Sequence, residues 1–331
     1  MMTRTALAAA LAAVALPAGA ETFRMQTFLG ANASTTTAFE EMAAALAEET
    51  GGRVEIEVLP GGAVVGAAET LEAIGAGLLD GQYTAPSYFA GKDPALGVLG
   101  DTLAAYPDSA TRDGFFSEGG GLELARELYD GYGLHLICIV HWPSEQIPST
   151  VPIDGVDDLQ GLKIRAPGGL ASDLLDRAGA SLVNLGVPES VTAMETGTLD
   201  ATDLANVSLN VALGMHERAK HSILARHSMA VTEMSVSTAK WDALSPEDQA
   251  AFTEACEAMS DQLETTLTEE DDAAEARASE ELGVTFTEFG EEDAARFRGM
   301  TQAVWDDWGA RSEMASRLVE AHRAYLGTLG L

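Results

Sequence analysis

One arginine stands where an α/β domain presents ligand-binding side chains. Arg165 ends a short strand predicted over residues 162–165 and precedes the turn Pro167-Gly168-Gly169. Open α/β sheets place ligand groups at the carboxyl ends of their strands. A guanidinium there suits a carboxylate, because its planar fork makes two parallel charge-assisted hydrogen bonds. From the spacing alone, a surface salt bridge explains the residue equally well.

Signatures of catalysis are absent from the sequence. It has no Gly-x-Ser-x-Gly nucleophile elbow, no Walker sequence and no Gly-x-Gly-x-x-Gly between a strand and a helix. His216 and His221 are five residues apart, whereas the paired zinc ligands of a protease helix are about four apart. We therefore predict a protein that is not an enzyme.

Charge restricts the partners. The chain has 331 residues, with 52 acidic against 19 basic side chains and a formal net charge of -33. So negative a surface repels phosphate backbones and anionic lipid headgroups, which argues against nucleic acid as a partner. With 46% hydrophobic residues, the chain is long enough for two α/β domains that each bury a core.

The first 20 residues have the pattern of a signal peptide. Arg4 precedes an apolar run over residues 6–16, and Ala18-Gly19-Ala20 provides a small-x-small cleavage pattern. The run is too short to span a bilayer, and no later stretch approaches the roughly 18 apolar residues that a membrane helix needs. We expect export with cleavage after Ala20.

Helix and strand patterns alternate along the remaining chain. Thr37 and Glu40 form a capping box that predicts a helix start, and residues 53–59 alternate as a half-buried strand does. This alternation favours parallel sheets with helices on both faces. Prolines within residues 142–158 indicate an interdomain crossing, and the helix predicted from Pro246 is too long for one compact domain.

The two cysteines, Cys138 and Cys256, each lie in an apolar pattern. Export permits a disulfide, but pairing also requires Cα atoms within about 7 Å of each other. We predict two buried free thiols.

Several segments, in order, resemble tripartite ATP-independent periplasmic (TRAP) transporter substrate-binding proteins. They cover nearly all of the chain after the signal peptide. Residues 88–95 are similar to the branch that binds 2-oxo and 2-hydroxy acids. The segments are Thr-Gly-Gly-Arg-Val at 50–54, Leu-Pro-Gly-Gly at 59–62, Asp-Leu-Gln-Gly-Leu-Lys-Ile-Arg-Ala-Pro at 158–167, Glu-Thr-Gly-Thr-Leu-Asp-Ala at 195–201 and Trp-Asp-Ala-Leu-Ser-Pro at 241–246.

The resemblance implies an α/β, two-domain periplasmic binding protein fold with a hinge and a long C-terminal helix that braces both domains. Domain I would comprise residues 21–141 plus 232–262, and domain II residues 142–231 plus 263–331. The protein would be periplasmic, would have no cofactor and no catalytic activity, and would deliver its ligand to membrane subunits. The sequence leaves the oligomeric state open, a homodimer included.

The resemblance also implies a ligand site. Arg165 would clamp the carboxylate, and Asp203 would help to hold a sodium or calcium ion beside the ligand. Asp203 is the only carboxylate that we recognise there, so we predict that binding does not require a metal. Counting back from Arg165 without gaps puts Ser144 where relatives have a glutamine. The remaining wall would come from Gln26, Phe28, Tyr88 and Trp142.

The favoured ligand is a 2-oxo or 2-hydroxy monocarboxylate. A C4-dicarboxylate or sulfonate is the alternative within the family, although a dicarboxylate would require another cation in the cleft. From a different class, a secreted hydrolase or an interaction protein is the competing hypothesis. The absence of a recognisable nucleophile and base argues against the hydrolase.

Overall fold

The computed structural model describes residues 20–166, 168–185 and 187–331. The predicted signal peptide therefore lies outside the described residues except for Ala20. Within the described ranges, no helix is both long and apolar enough to cross a membrane.

The chain forms two β-sheets covered by helices. The strands are β1 (Glu21–Thr27), β2 (Val54–Leu59), β3 (Gly81–Thr84), β4 (Leu134–Val140), β5 (Ile147–Ser149), β6 (Lys163–Arg165), β7 (Ser181–Val183), β8 (Ala201–Thr202), β9 (His221–Leu224), β10 (Thr232–Ser237) and β11 (Thr285–Glu288). The helices are α1 (Ser34–Glu49), α2 (Thr70–Gly75), α3 (Pro94–Gly100), α4 (Ser109–Ser117), α5 (Gly121–Asp130), α6 (Gly169–Arg177), α7 (Val187–Glu195), α8 (Val207–Ala212), α9 (Thr238–Trp241), α10 (Pro246–Leu282), α11 (Glu291–Gly309) and α12 (Glu313–Thr328).

Both sheets are mixed, so the expectation of purely parallel sheets was wrong. The first sheet has the order β2-β1-β3-β10-β4, in which β10 runs antiparallel to both of its neighbours. The second has the order β11-β9-β5-β8-β6-β7, in which β5 runs antiparallel to β8 and β9. The reason is connectivity: β5 and β10 each enter a sheet directly from a strand of the other sheet.

Two chain segments therefore connect the sheets. The first crossing, residues 141–146, joins β4 to β5, and the second crossing, residues 225–231, joins β9 to β10. The backbone N–H of Glu145 donates to the carbonyl of Ser228 at 3.1 Å, so the two crossings run side by side.

Helix α10 is a third connection. Its 37 residues extend over roughly 55 Å at 1.5 Å per residue, and it packs on α1 and β4 near one end and on α8 and β11 further along. Pro246 occupies the first turn, and the hydroxyl of Ser245 caps it by accepting the N–H of Asp248. The predicted long helix that braces both domains is confirmed.

A disulfide ties α10 to the first sheet. Cys138 in β4 and Cys256 in α10 are bonded, with their Cα atoms 6.1 Å apart. The prediction of two free thiols was wrong, because the packing of α10 across β4 brings together two residues that are far apart in sequence.

The last two helices pack across both sets of elements. Helix α12 contacts α3 and α5, whereas α11 contacts both α3 and α6. The largest core cluster accordingly mixes residues from both sides, among them Leu136, Leu170 and Trp305. The proposed assignment of the C-terminal helices to domain II alone does not describe these contacts fully.

Candidate ligand-binding cleft

Arg165 is the last residue of β6, as the sequence predicted for the strand end. It is 6% exposed, and two carbonyls hold its guanidinium: Nε donates to Leu185 O at 2.9 Å and Nη1 to Asp203 O at 2.6 Å. Its own carbonyl accepts the N–H of Asp203 at 2.8 Å. Nη2 has no hydrogen-bond partner among the described residues, so the held guanidinium keeps donors for a ligand.

Three side chains form a compact cluster next to Arg165. Ligand atoms of Glu145, Asp203 and His227 all lie within 4.8 Å of one another. His227 Nε2 is 2.8 Å from Asp203 Oδ1, and both side chains are buried. Asp203 Oδ2 is buried, and no N–H or hydroxyl group of the described residues donates to it, although the Glu145 carboxyl lies close enough to share a proton with Asp203. A buried carboxylate oxygen without a donor is costly unless a ligand or an ion satisfies it.

The two carboxyl groups of the cluster titrate in opposite directions. Burial and the neighbouring Asp203 carboxylate hold the pKa of Glu145 well above its usual range. Burial also opposes ionisation of Asp203, but His227, Glu145 and Arg165 together outweigh that effect and lower its pKa. Two close carboxyl groups cannot both ionise cheaply, so Glu145 gives up its proton less readily than Asp203 does.

A third acid, Asp101, supports the second crossing. Its Oδ1 accepts the N–H groups of Leu103 at 2.9 Å and of Met229 at 3.0 Å. Burial raises the pKa of Asp101 to about 6, with a further increase from the Asp203 charge. The wall beside Arg165 is therefore rich in carboxyl groups, which makes the guanidinium its main fixed positive charge.

Phe28, Tyr88 and Trp142 form an aromatic cluster. The ring of Phe28 lies 6.1 Å from that of Tyr88 and 5.9 Å from that of Trp142. Tyr88 is 46% exposed, but burial of its hydroxyl raises the pKa of that group to about 12. The charge of Glu145 adds to this increase, and the charge of Arg165 opposes it. Glu145 and Arg165 therefore lie close enough to Tyr88 for their charges to shift its pKa.

Two predicted wall residues have other contacts. Gln26 is fully buried: its Oε1 accepts the N–H groups of Val64 and Val65, and its Nε2 donates to Val65 O at 2.8 Å. Its amide therefore holds the loop after β2. The hydroxyl of Ser144 lies 3.4 Å from that of Ser109. The next residue, Glu145, is the one that joins the acid cluster.

The expectation that Asp203 is the only carboxylate at the site was wrong. Glu145 and His227 lie outside the segments that carried the family resemblance, and the gapless count back from Arg165 went one residue past Glu145. Two carboxyl groups offer the hard oxygen ligands that sodium and calcium prefer, and His227 fixes the orientation of Asp203. The residues present therefore fit a cation.

Residues 25–312 match the model of the bacterial extracellular solute-binding proteins, family 7. The chain belongs to this family. The solute-binding protein is 37% identical to a TRAP periplasmic solute-binding protein of Rhodobacter sphaeroides, solved in an apo open form; the match covers 94% of this chain and 99% of that one, with a TM-score of 0.82. The fold and family are those of transport proteins.

More distant relatives carry ligand names. A monocarboxylate 2-oxoacid-binding periplasmic protein of Nostoc sp. is 26% identical over 204 residues, which are 60% of this solute-binding protein and 54% of the relative. The chain thus spans about half of that relative. A TRAP solute-binding protein of Colwellia psychrerythraea, solved with calcium and pyruvate, shares the fold at a TM-score of 0.83 and 21% identity, over 94% of this chain and 95% of that one.

Proposed function

We propose that the protein captures a small 2-oxo or 2-hydroxy monocarboxylate in the cleft between its domains and delivers it to TRAP membrane subunits. The observation that carries this proposal is Arg165, a guanidinium fixed by two backbone carbonyls in a wall that is otherwise acidic. The ligand carboxylate binds Arg165. The oxygen on the neighbouring carbon lies toward Glu145 and Asp203.

A cation is part of this proposal. Glu145 and Asp203 would hold a sodium or calcium ion, and the ion would offset the repulsion between these acids and the ligand oxygens. His227 keeps Asp203 in place through the 2.8 Å contact. A Colwellia structure with bound calcium and pyruvate, and a Pseudoalteromonas atlantica structure with bound sodium and pyruvate, support a cation bound together with the ligand.

A dicarboxylate fits less well. Its second carboxylate needs another cation, and the described residues that we place around Arg165 include neither lysine nor a second arginine. The aromatic wall of Phe28, Tyr88 and Trp142 instead suits a short apolar or uncharged tail.

Transport requires the protein to signal that it is loaded. We propose that the domains rotate about the two crossings and α10, so that the cleft closes over the ligand. The protein performs no catalysis, and it reaches the periplasm through cleavage after Ala20. Mass spectrometry of the exported protein tests the cleavage site; a chain that still begins at Met1 contradicts it.

A thermal-shift screen tests the ligand class. Pyruvate, lactate, acetate and malonate are compared with and without calcium, since binding to the native state raises Tm by mass action. We expect pyruvate or lactate to raise Tm more than acetate or malonate does. A shift with malonate alone favours the dicarboxylate alternative, and no shift with any acid contradicts the proposal.

A further inference from the structure

A buried arginine outside the cleft contacts both crossings. Arg112 in α4 is 0% exposed, and its Nη1 donates to Trp142 O in the first crossing and to Ala230 O in the second, each at 2.9 Å. These carbonyls belong to separate segments that connect the two sheets. One guanidinium thus holds two hinge segments together.

The surroundings of Arg112 keep it in place. Its Nε donates to Asp113 Oδ1 at 2.7 Å, and the same oxygen lies 2.8 Å from His141 Nδ1 at the start of the first crossing. Removing a buried guanidinium leaves its acceptors unsatisfied, which costs more than the loss of an exposed contact. Helix α4 packs on α5, which in turn packs on β4, so this anchor belongs to the first domain.

We propose that Arg112 is the positioning residue of the hinge: it clasps the two crossings at Trp142 and Ala230, and the domains rotate about residues 143–146 and 225–229 beyond the clasp. Glu145 and His227 lie on these two segments. The acid cluster therefore moves with the rotation, while Trp142 stays with the first domain and its aromatic wall.

The test uses the ligand-free protein, so it does not depend on which acid binds. Spin labels are attached through non-natural amino acids at exposed Glu48 in α1 and exposed Glu217 near β9, which leaves the disulfide intact. The distribution of distances between the labels reports the hinge. Melting curves of each variant are recorded alongside.

Arg112→Lys should broaden the distance distribution about twofold, because an ammonium cannot hold both carbonyls and Asp113 in the same planar arrangement. Arg126→Lys is the matched control. Arg126 also donates to two backbone carbonyls, those of Leu136 and Ile137, but both lie within β4 and not in a crossing. Its distribution should stay at the wild-type width.

An unchanged distribution in Arg112→Lys, or equal broadening in Arg126→Lys, overturns the proposal. If Arg112→Lys does not fold, Asp113→Ala decides, since it removes the acceptor of Nε and leaves the guanidinium present. Broadening in Asp113→Ala supports the clasp, and a wild-type distribution in that variant overturns it.

Discussion

Glu145 and Glu233 are two glutamates whose carboxyl pKa is raised first of all by burial, yet their surroundings differ. Glu145 is half-buried in the cleft beside Asp203 and near the held guanidinium of Arg165. Glu233 in β10 is 0% exposed and accepts a hydrogen bond from Gln82 Nε2 at 2.6 Å. Its other close polar neighbours are the side chains of Ser235 and Tyr129.

This difference separates a ligand site from a sealed polar cluster. Burial raises the pKa of Glu233 to about 8, so a perturbed acid occurs in the core without any opening to solvent. The cleft differs because it combines its carboxyl groups with a fixed positive charge and an exposed aromatic side chain. A shifted pKa identifies a site only when access and complementary charge accompany it.

The largest expected effect is on the cleft side of the comparison. Arg165→Ala should weaken pyruvate binding by roughly 2–5 kcal/mol, because it removes one partner of a desolvated charge pair. Arg165→Lys should recover only part, since an ammonium cannot make the two-pronged contact. Calorimetry measures both. Wild-type affinity in Arg165→Ala would remove this residue from the site.

The buried cluster around Glu233 should make the stability of the protein depend on pH, without any effect on ligand binding. Between the unfolded pKa of 4.5 and the folded pKa of about 8, the folded protein keeps the Glu233 proton that the unfolded chain has lost. The free energy of unfolding is therefore highest, as far as Glu233 is concerned, below pH 4.5. It falls as pH rises toward 8, by at most about 1.4 kcal/mol per pH unit.

Glu233→Gln should remove this fall in the free energy of unfolding between pH 4.5 and 8. Denaturant unfolding of both proteins at several pH values measures it, and pyruvate affinity should be the same in both. If the difference in unfolding free energy between the wild type and Glu233→Gln does not change between pH 5 and 8, Glu233 ionises normally in the fold.

A smaller effect should follow removal of the cation. Dialysis against a chelator should weaken pyruvate binding on the order of tenfold, and added calcium should restore it, because Glu145 and Asp203 otherwise repel the ligand oxygens. Glu145→Gln should lose most of this dependence on calcium, whereas Glu233→Gln should retain it. Pyruvate affinity that is unchanged after dialysis against the chelator would instead support the prediction from sequence that binding does not require a metal.

The smallest expected change is at the aromatic wall. The Tyr88 hydroxyl makes no hydrogen bond to a described residue, whereas its ring packs beside Phe28. Tyr88→Phe should therefore change pyruvate affinity by less than about 1 kcal/mol, and Tyr88→Ala should weaken it more. A large loss in Tyr88→Phe would mean that the hydroxyl itself contacts the ligand.

Local patterns predicted much of the fold. The helix predicted from Pro246 matches the start of α10, and the alternation of residues 53–59 identified β2. Helix α1 begins at Ser34, three residues before the capping box predicted at Thr37 and Glu40. Its N-cap residue is Ala33, which makes no side-chain hydrogen bond to the helix. The antiparallel β10 and the Cys138–Cys256 bond depend on pairing between distant segments, which no local pattern reports.

The candidate site was predictable only in part. Arg165 was identified from its place at a strand end, and that place is confirmed. Glu145 and His227 join Asp203 because the two crossings run side by side, a tertiary contact with no signal in either segment alone. The one available sign was the position of Glu145, one residue from the place assigned to Ser144.

Small-angle scattering tests the central claim most directly, because capture in this cleft requires closure. Scattering is recorded for the wild type and for Arg165→Ala, each with and without saturating pyruvate and calcium. We expect the radius of gyration of the wild type to fall on binding and that of Arg165→Ala to stay unchanged. A wild-type profile that is the same at confirmed saturation would contradict closure of the cleft over its ligand.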